Sequence, residues 1–255
     1  ELNPDAALYL EECDQVLEAM GAPVTERYEI LKSHHATAEK RYHPLSQEVV
    51  TGTFVGDYDY VLDLLDRCYF PTREGVANFH DNFVDALVLA GQKKVKEGNV
   101  EDGIKLYMKA FTYPENHQVF LVDERATHDA QIHYYLGEAY EALGNNEEAE
   151  KWYTKAAEQD YNLKGSKDFR YWSGLALRKL GRKAEAKAIF KAMINEGKGR
   201  VVTQYVNFYG AEGTTGSTVD MINSGAYYTQ ALGYKGLGKN FKGNRLLRKV
   251  QDLKP

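Results

Sequence analysis

The stretch nearest to a catalytic motif is Gly233-Tyr234-Lys235-Gly236-Leu237-Gly238-Lys239-Asn240. Its GxxxxGK spacing matches a phosphate-cradling loop, in which backbone N–H groups and a lysine hold the phosphates of a nucleotide. Such a loop needs Ser or Thr next, to hold magnesium, and a strand ahead of its first glycine. Asn240 follows instead, and the approach from Ala226 reads as helix, so Gly238 is expected to be a turn between paired helices. The seven histidines include no HExxH pair. His128 and His133 are five apart and fall on different helical faces, so no metal ligand set is expected. His34-His35 reads as a cationic close to a helix C-terminus. No serine sits in GxSxG. Glycoside hydrolysis needs two positioned carboxylates, and the spacing nominates none. The run Glu147-Glu148-x-Glu150 suits the start of a helix, where the dipole favours negative charge. Cys13 and Cys68 are too few and too far apart for a disulfide framework or a metal knuckle, so free, partly buried thiols are expected. The sequence therefore assigns no catalytic residue, no metal and no cofactor.

The bulk composition narrows the partners. A formal charge of -5 over 255 residues and a pI near 5.9 give no global basic field, so nucleic acid is not expected as a partner. The basic residues Arg245, Arg248 and Lys249 read as a solvated helix face. The longest apolar stretch, Phe83 to Ala90, is interrupted by Asp85 and is far short of the roughly 20 residues that span a bilayer. No membrane segment is expected. The start at Glu1, without Met or a signal pattern, reads as a fragment of something longer.

The elements that would position any site follow from a repeated pattern. Residues 133 to 156 read His133-x2-Leu136-Gly137-x2-Tyr140, Gly144, Ala149-x3-Tyr153 and Ala156. This resembles the tetratricopeptide signature in register. Small residues at Gly137 and Ala149 let two antiparallel helices approach, while Leu136, Tyr140 and Tyr153 fill the space between them. Taking Gly144 as the inter-helix turn, the pattern recurs around Gly181, Gly98 and Gly238, and more loosely around Gly56 and Gly21. The intervals between these glycines are 35, 42, 46, 37 and 57 residues, against an ideal of about 34. The excess falls in two longer inserted loops, from about Glu115 to Thr127 and from about Gly197 to Ser224. Segment 201–208 (VVTQYVNF) reads equally as a strand or a helical turn. The expected fold is all-α: a right-handed α-solenoid of about six TPR-like helical hairpins, forming one domain over 1–255. Its units lie near 7–41, 42–75, 84–117, 130–163, 167–200 and 224–255.

In such an array the first helix of each pair faces a concave groove that suits extended ligands. The candidate binding residues there are Gln131, Tyr134, Glu138 and Glu141, then Asp168, Tyr171 and Arg178, then Tyr228 and Lys235. Tyr and Trp offer rigid amphipathic area for a peptide or a sugar ring. The competing role for Tyr135, Trp172 and Tyr227 is packing between repeats. A cluster of Lys, Arg and Asn lining one groove is not visible in the sequence.

Several stretches carry a wider likeness: 26–35 (ERYEILKSHH), Gly56-Asp57-Tyr58-Asp59 with Leu64-Leu65, Phe70 with Glu74-Gly75, Tyr113-Pro114-Glu115-Asn116, His133 to Gly137, and Leu232 to Gly238. In this order they resemble the C-terminal helical-repeat region of a bacterial family of large proteins with an uncharacterised galactose-mutarotase-like N-terminal domain. The resemblance implies a repeat module of a larger protein that handles carbohydrate. It draws attention to Glu74 and Asn116 in the motif loops, which here run into Val76-Ala77-Asn78 and His117-Gln118 rather than glycine-rich continuations. The function expected is a non-enzymatic interaction module, contacting a protein, a peptide or another domain of its own chain. The alternative is an accessory part of a carbohydrate-active enzyme, with groove or loops contributing to sugar binding.

Overall fold

The computed structural model describes residues 4–71, 79–118, 128–159, 167–204 and 216–253. These residues form helices, with no strand among them. The chain divides into two compact units, Glu1–Glu124 and Arg125–Pro255. The first contains α1 (Pro4–Ala19), α2 (Val24–Ser33), α3 (His35–Ala38), α4 (Tyr42–Val55), α5 (Tyr58–Arg67), α6 (His80–Lys96) and α7 (Val100–Lys109). The second contains α8 (Asp129–Ala142), α9 (Asn146–Ala157), a single 3-10 turn at Lys167–Phe169, α10 (Arg170–Lys179), α11 (Lys183–Gly199), α12 (Gly216–Gly236) and α13 (Asn240–Leu253).

One local device closes the hairpins. Gly21, Gly56, Gly98, Gly144, Gly181 and Gly238 all have φ between +73 and +88. Each lies at a junction between consecutive helices. The left-handed conformation is open to glycine because it has no Cβ, and it turns the chain back so that the next N–H reaches a free carbonyl of the helix just ended. That bond recurs at all six places, from Ala22 to Leu17, Asp57 to Gly52, Asn99 to Lys94, Asn145 to Tyr140, Arg182 to Leu177 and Lys239 to Tyr234, at 2.8–3.1 Å. Gly238 is thus an inter-helix turn, and Gly233 and Gly236 lie within α12 rather than in a phosphate loop.

A second use of glycine sets the spacing within pairs. A Cβ built on Gly137 would lie 2.5 Å from the Tyr153 ring, and one on Gly174 would lie 2.5 Å from Phe190. Gly91 meets Tyr107 in the same way. An aromatic ring of the second helix therefore rests on bare backbone of the first.

In the second unit α8 packs on α9 and α10, α10 on α9, α11 and α12, and α12 on α11 and α13. First helices stack on first helices, and each second helix wedges against the next pair, as in an α-solenoid. Its core runs through Tyr134, Ala149, Tyr153, Ala156 and Ala176, then Leu177, Ala186, Phe190 and Met193. In the first unit α4 packs on α1, α2, α3, α5 and α6. Leu31, Val61, Leu64, Leu65 and Phe83 are fully buried there.

The expected loop from Gly197 to Ser224 is shorter than its composition suggests, because α11 extends to Gly199 and α12 begins at Gly216. Gly197 near the end of α11 lies close against Ala226 and Gln230 of α12, leaving no room for a Cβ there. The Asn223 side chain accepts from the Val202 N–H and donates to the Val202 carbonyl, both at 2.9 Å. Residues 205–208 of VVTQYVNF lie outside the described residues, as do residues 119–127 of the other expected insert. Cys13 is exposed and Cys68 buried, and both are free.

Candidate functional site

The two units handle charge differently. Counted along the sequence, residues 1–124 carry a formal charge of -12 and residues 125–255 one of +7, which together give the -5 of the chain. In the first unit the buried charges satisfy one another. Arg27 donates to both carboxylate oxygens of Asp14 at 2.8 Å, to Glu18 at 2.7 Å and to Gln47 at 3.2 Å. The bond to Asp14 is the largest cause raising the Arg27 pKa, with burial opposing it. Glu48 on α4 is 0% exposed and accepts from Tyr60 Oη at 2.6 Å and His35 Nδ1 at 2.9 Å. Arg67 donates to the other ring nitrogen of His35 at 3.0 Å. Asp57 accepts from Lys32 and Tyr28, both at 2.6 Å, and these bonds hold its carboxyl below the ordinary range. His34 caps the end of α2, its Nδ1 2.9 Å from the Ile30 carbonyl.

The second unit contains a groove of about 620 Å³ formed by α8, α10, α11 and the end of α12. Tyr134, Leu175, Ala186, Phe190 and Leu237 supply its apolar lining. Arg178, Lys179, Lys183 and Lys187 also line it, and all four are exposed. Lys179 Nζ lies 2.5 Å from Glu141 and 3.9 Å from Glu138. Tyr134 donates to Glu138 at 2.9 Å and Tyr153 to Glu141 at 2.6 Å. The bonds from Lys179 and then Tyr153 lower the Glu141 pKa. Burial, reinforced by the neighbouring carboxylates, raises the phenols of Tyr134 and Tyr153.

The residues expected to face a groove fall into three groups. Tyr134 and Arg178 line this one, and Glu138 and Glu141 reach it through Lys179. Arg178 also donates to the Gly236 carbonyl at 3.2 Å. Gln131 is half-buried near the start of α8. Tyr171 is half-buried, edge-on to Trp172 at 5.3 Å and near Phe190 at 5.9 Å, and burial raises its phenol pKa. A third group lies apart. Asp168, raised by burial, accepts from Thr229 at 2.5 Å, Tyr228 is exposed on α12, and the stem of Lys235 packs over Gly243. Asn116 donates to the Leu65 and Cys68 carbonyls at 2.9 and 2.6 Å, satisfying the C-terminal end of α5. Beside it, a parallel bridge pairs Phe70 with His117. Glu74 lies outside the described residues.

Sequence reasoning missed Lys179, Lys183, Lys187, Phe190 and Leu237. The signal was present as five basic residues between Arg178 and Lys187 with one acid, Glu185, but they flank a turn and their convergence depends on α12.

Matches to known repeat profiles fall on this unit. Tetratricopeptide-repeat profiles match residues 130–163 and 168–195, so the hairpins α8–α9 and α10–α11 are tetratricopeptide repeats. Among curated proteins compared by sequence, none matches. Of solved structures, the chain is similar to the apo form of the quorum sensor NprR from B. thuringiensis, at 14% identity and TM-score 0.48, covering 99% of this chain and 78% of that one. It is also similar to BtubC from P. vanneervenii, at 14% identity and TM-score 0.39, covering 96% and 90%. A third is YrrB, a TPR protein with an unusual peptide-binding site, at 16% identity and TM-score 0.31, covering 87% and 90%.

Proposed function

We propose that this chain is a non-catalytic helical-repeat module that binds a segment of protein through the groove of its second unit, and that it is the repeat part of a larger protein. The observation that carries the reading is the groove itself: an apolar floor between stacked first helices, rimmed by exposed cations. A preformed concave surface on rigid helices suits an extended peptide, because little of the receptor must be ordered on binding. Another domain of the same polypeptide presenting such a segment would be held in the same way. The resemblance stretches from Glu26 to Gly238 support the larger parent.

Selection from a random peptide library tests this. Sequences enriched on the chain should lose binding when the floor is filled by Leu175→Trp or Leu237→Trp. Equal binding to both variants, with their melting temperatures unchanged, would refute the groove as the site.

A further inference from the structure

We infer that the segment taken by this groove is acidic, with carboxylates at alternate positions and an apolar side chain among them. This rests on the groove being a peptide site and adds the chemistry of its occupant. Arg178, Lys183 and Lys187 have no carboxylate partner among the described residues, and Lys179 alone of the four cations is neutralised from within. Some exposed cations elsewhere are matched locally, as Lys105 with Asp102 at 2.8 Å, Lys151 with Glu148 at 2.7 Å and Arg182 with Glu185 at 2.7 Å, and others, such as Lys191 and Arg245, have no carboxylate partner among the described residues. What sets Arg178, Lys183 and Lys187 apart is their place around an apolar lining. Uncompensated cations converging on an apolar lining are what an anionic amphipathic ligand complements.

The spacing sharpens the class. Lys183 and Lys187 stand one helical turn apart, about 6 Å between Cβ atoms. Two residues of an extended chain advance about 6.6 to 6.8 Å. Carboxylates on alternate residues of such a segment therefore meet successive lysines, while Leu175 and Leu237 offer apolar surface to a neighbouring side chain.

A single-stranded nucleic acid fits less well. Its binding sites present aromatic faces for bases to stack on, whereas Tyr134 and Phe190 are 7% and 1% exposed. A continuous phosphate backbone would also run past Glu138 and Glu141, which a peptide can avoid by placing its charges only opposite Lys183 and Lys187.

Fluorescence anisotropy of the full chain decides among these, using a labelled peptide with alternating Glu around a Leu, its Gln counterpart and a labelled thymidine oligonucleotide. The Glu peptide should bind, weaken as salt is raised, and lose roughly fivefold in affinity for each of Lys183→Gln and Lys187→Gln. The Gln peptide should bind at least tenfold more weakly. Equal binding of the two peptides would overturn the acidic requirement while leaving the groove reading intact. Tighter binding of the oligonucleotide, no binding of the Glu peptide, or indifference to both lysine variants would each overturn the inference, whereas the library selection judges the groove reading separately.

Discussion

The first unit holds a small set of buried charges on internal partners, and the second leaves cations at the rim of a groove. Around α4, carboxylates that are nearly inaccessible are each met by several donors: Asp14 by Arg27, and Glu48 by His35 and Tyr60. Around α10 and α11, aromatic rings pack on glycines and the cations are left at the rim of a groove. Charge taken up internally specifies a packing arrangement. Charge left without a partner on a concave face can be satisfied by something else. This contrast, more than the repeat pattern, points to the second unit as the binding part of the chain.

The largest test of the contrast is Arg27→Ala. It leaves Asp14, 2% exposed, as a buried carboxylate without its guanidinium, and a change of this kind costs about 3–5 kcal/mol. Denaturant unfolding should report that loss in the first unit. A change below about 1 kcal/mol would mean that the pair is not a buried network.

Next comes Gly137→Leu, which drives a side chain into the Tyr153 ring. Overpacking costs about 1–3 kcal/mol, and the loss should appear in melting of the second unit. Tyr153→Ala combined with it should recover part of the loss, because the obstructing ring is gone.

A pH experiment sharpens the second unit further. Burial raises Asp129 to about 6 and lowers His133 to about 4. His133 stays neutral in the fold while the unfolded chain takes up a proton below about 6.5, so its contribution to stability is lost as pH falls from about 6.5 to 4. Asp129 has the opposite sign: it keeps its proton in the fold, and its contribution is lost as pH rises from about 4 to 6. The two offset each other in the natural protein. Asp129→Asn should therefore show stability rising with pH across that window, and His133→Gln should show it falling. Thermal melts at pH 4, 5 and 6 that slope the same way for both variants would break the assignment.

The smallest effect is on the groove cations. Lys183→Gln and Lys187→Gln should change stability by less than about 0.5 kcal/mol, as exposed side chains without partners do.

Much of the backbone was legible because its rules are local. A glycine seven residues before a turn glycine and an aromatic nine after it, as in Gly137, Gly144 and Tyr153, state a close helix crossing within one hairpin. The six turn glycines are legible for the same reason, since a left-handed residue at a helix end excludes most side chains. The start of α12 was not, because Gly216, Ser217 and Thr218 read as loop from their composition, yet they open a helix that packs on α11 farther along. Asn116 reads as a motif residue, yet its amide closes α5, a partner some fifty residues away in the chain. The pairing of Glu48 with His35 and Tyr60, and the lining of one groove by both Lys187 and Leu237, likewise depend on helices brought together only by the fold.

The central claim is that the second unit binds and the first does not. Hydrogen–deuterium exchange of the full chain, with and without a saturating library-selected peptide, tests it most directly. The account predicts slowed exchange in α10, α11 and the end of α12, with α2 to α5 unchanged. Protection confined to the first unit would contradict it.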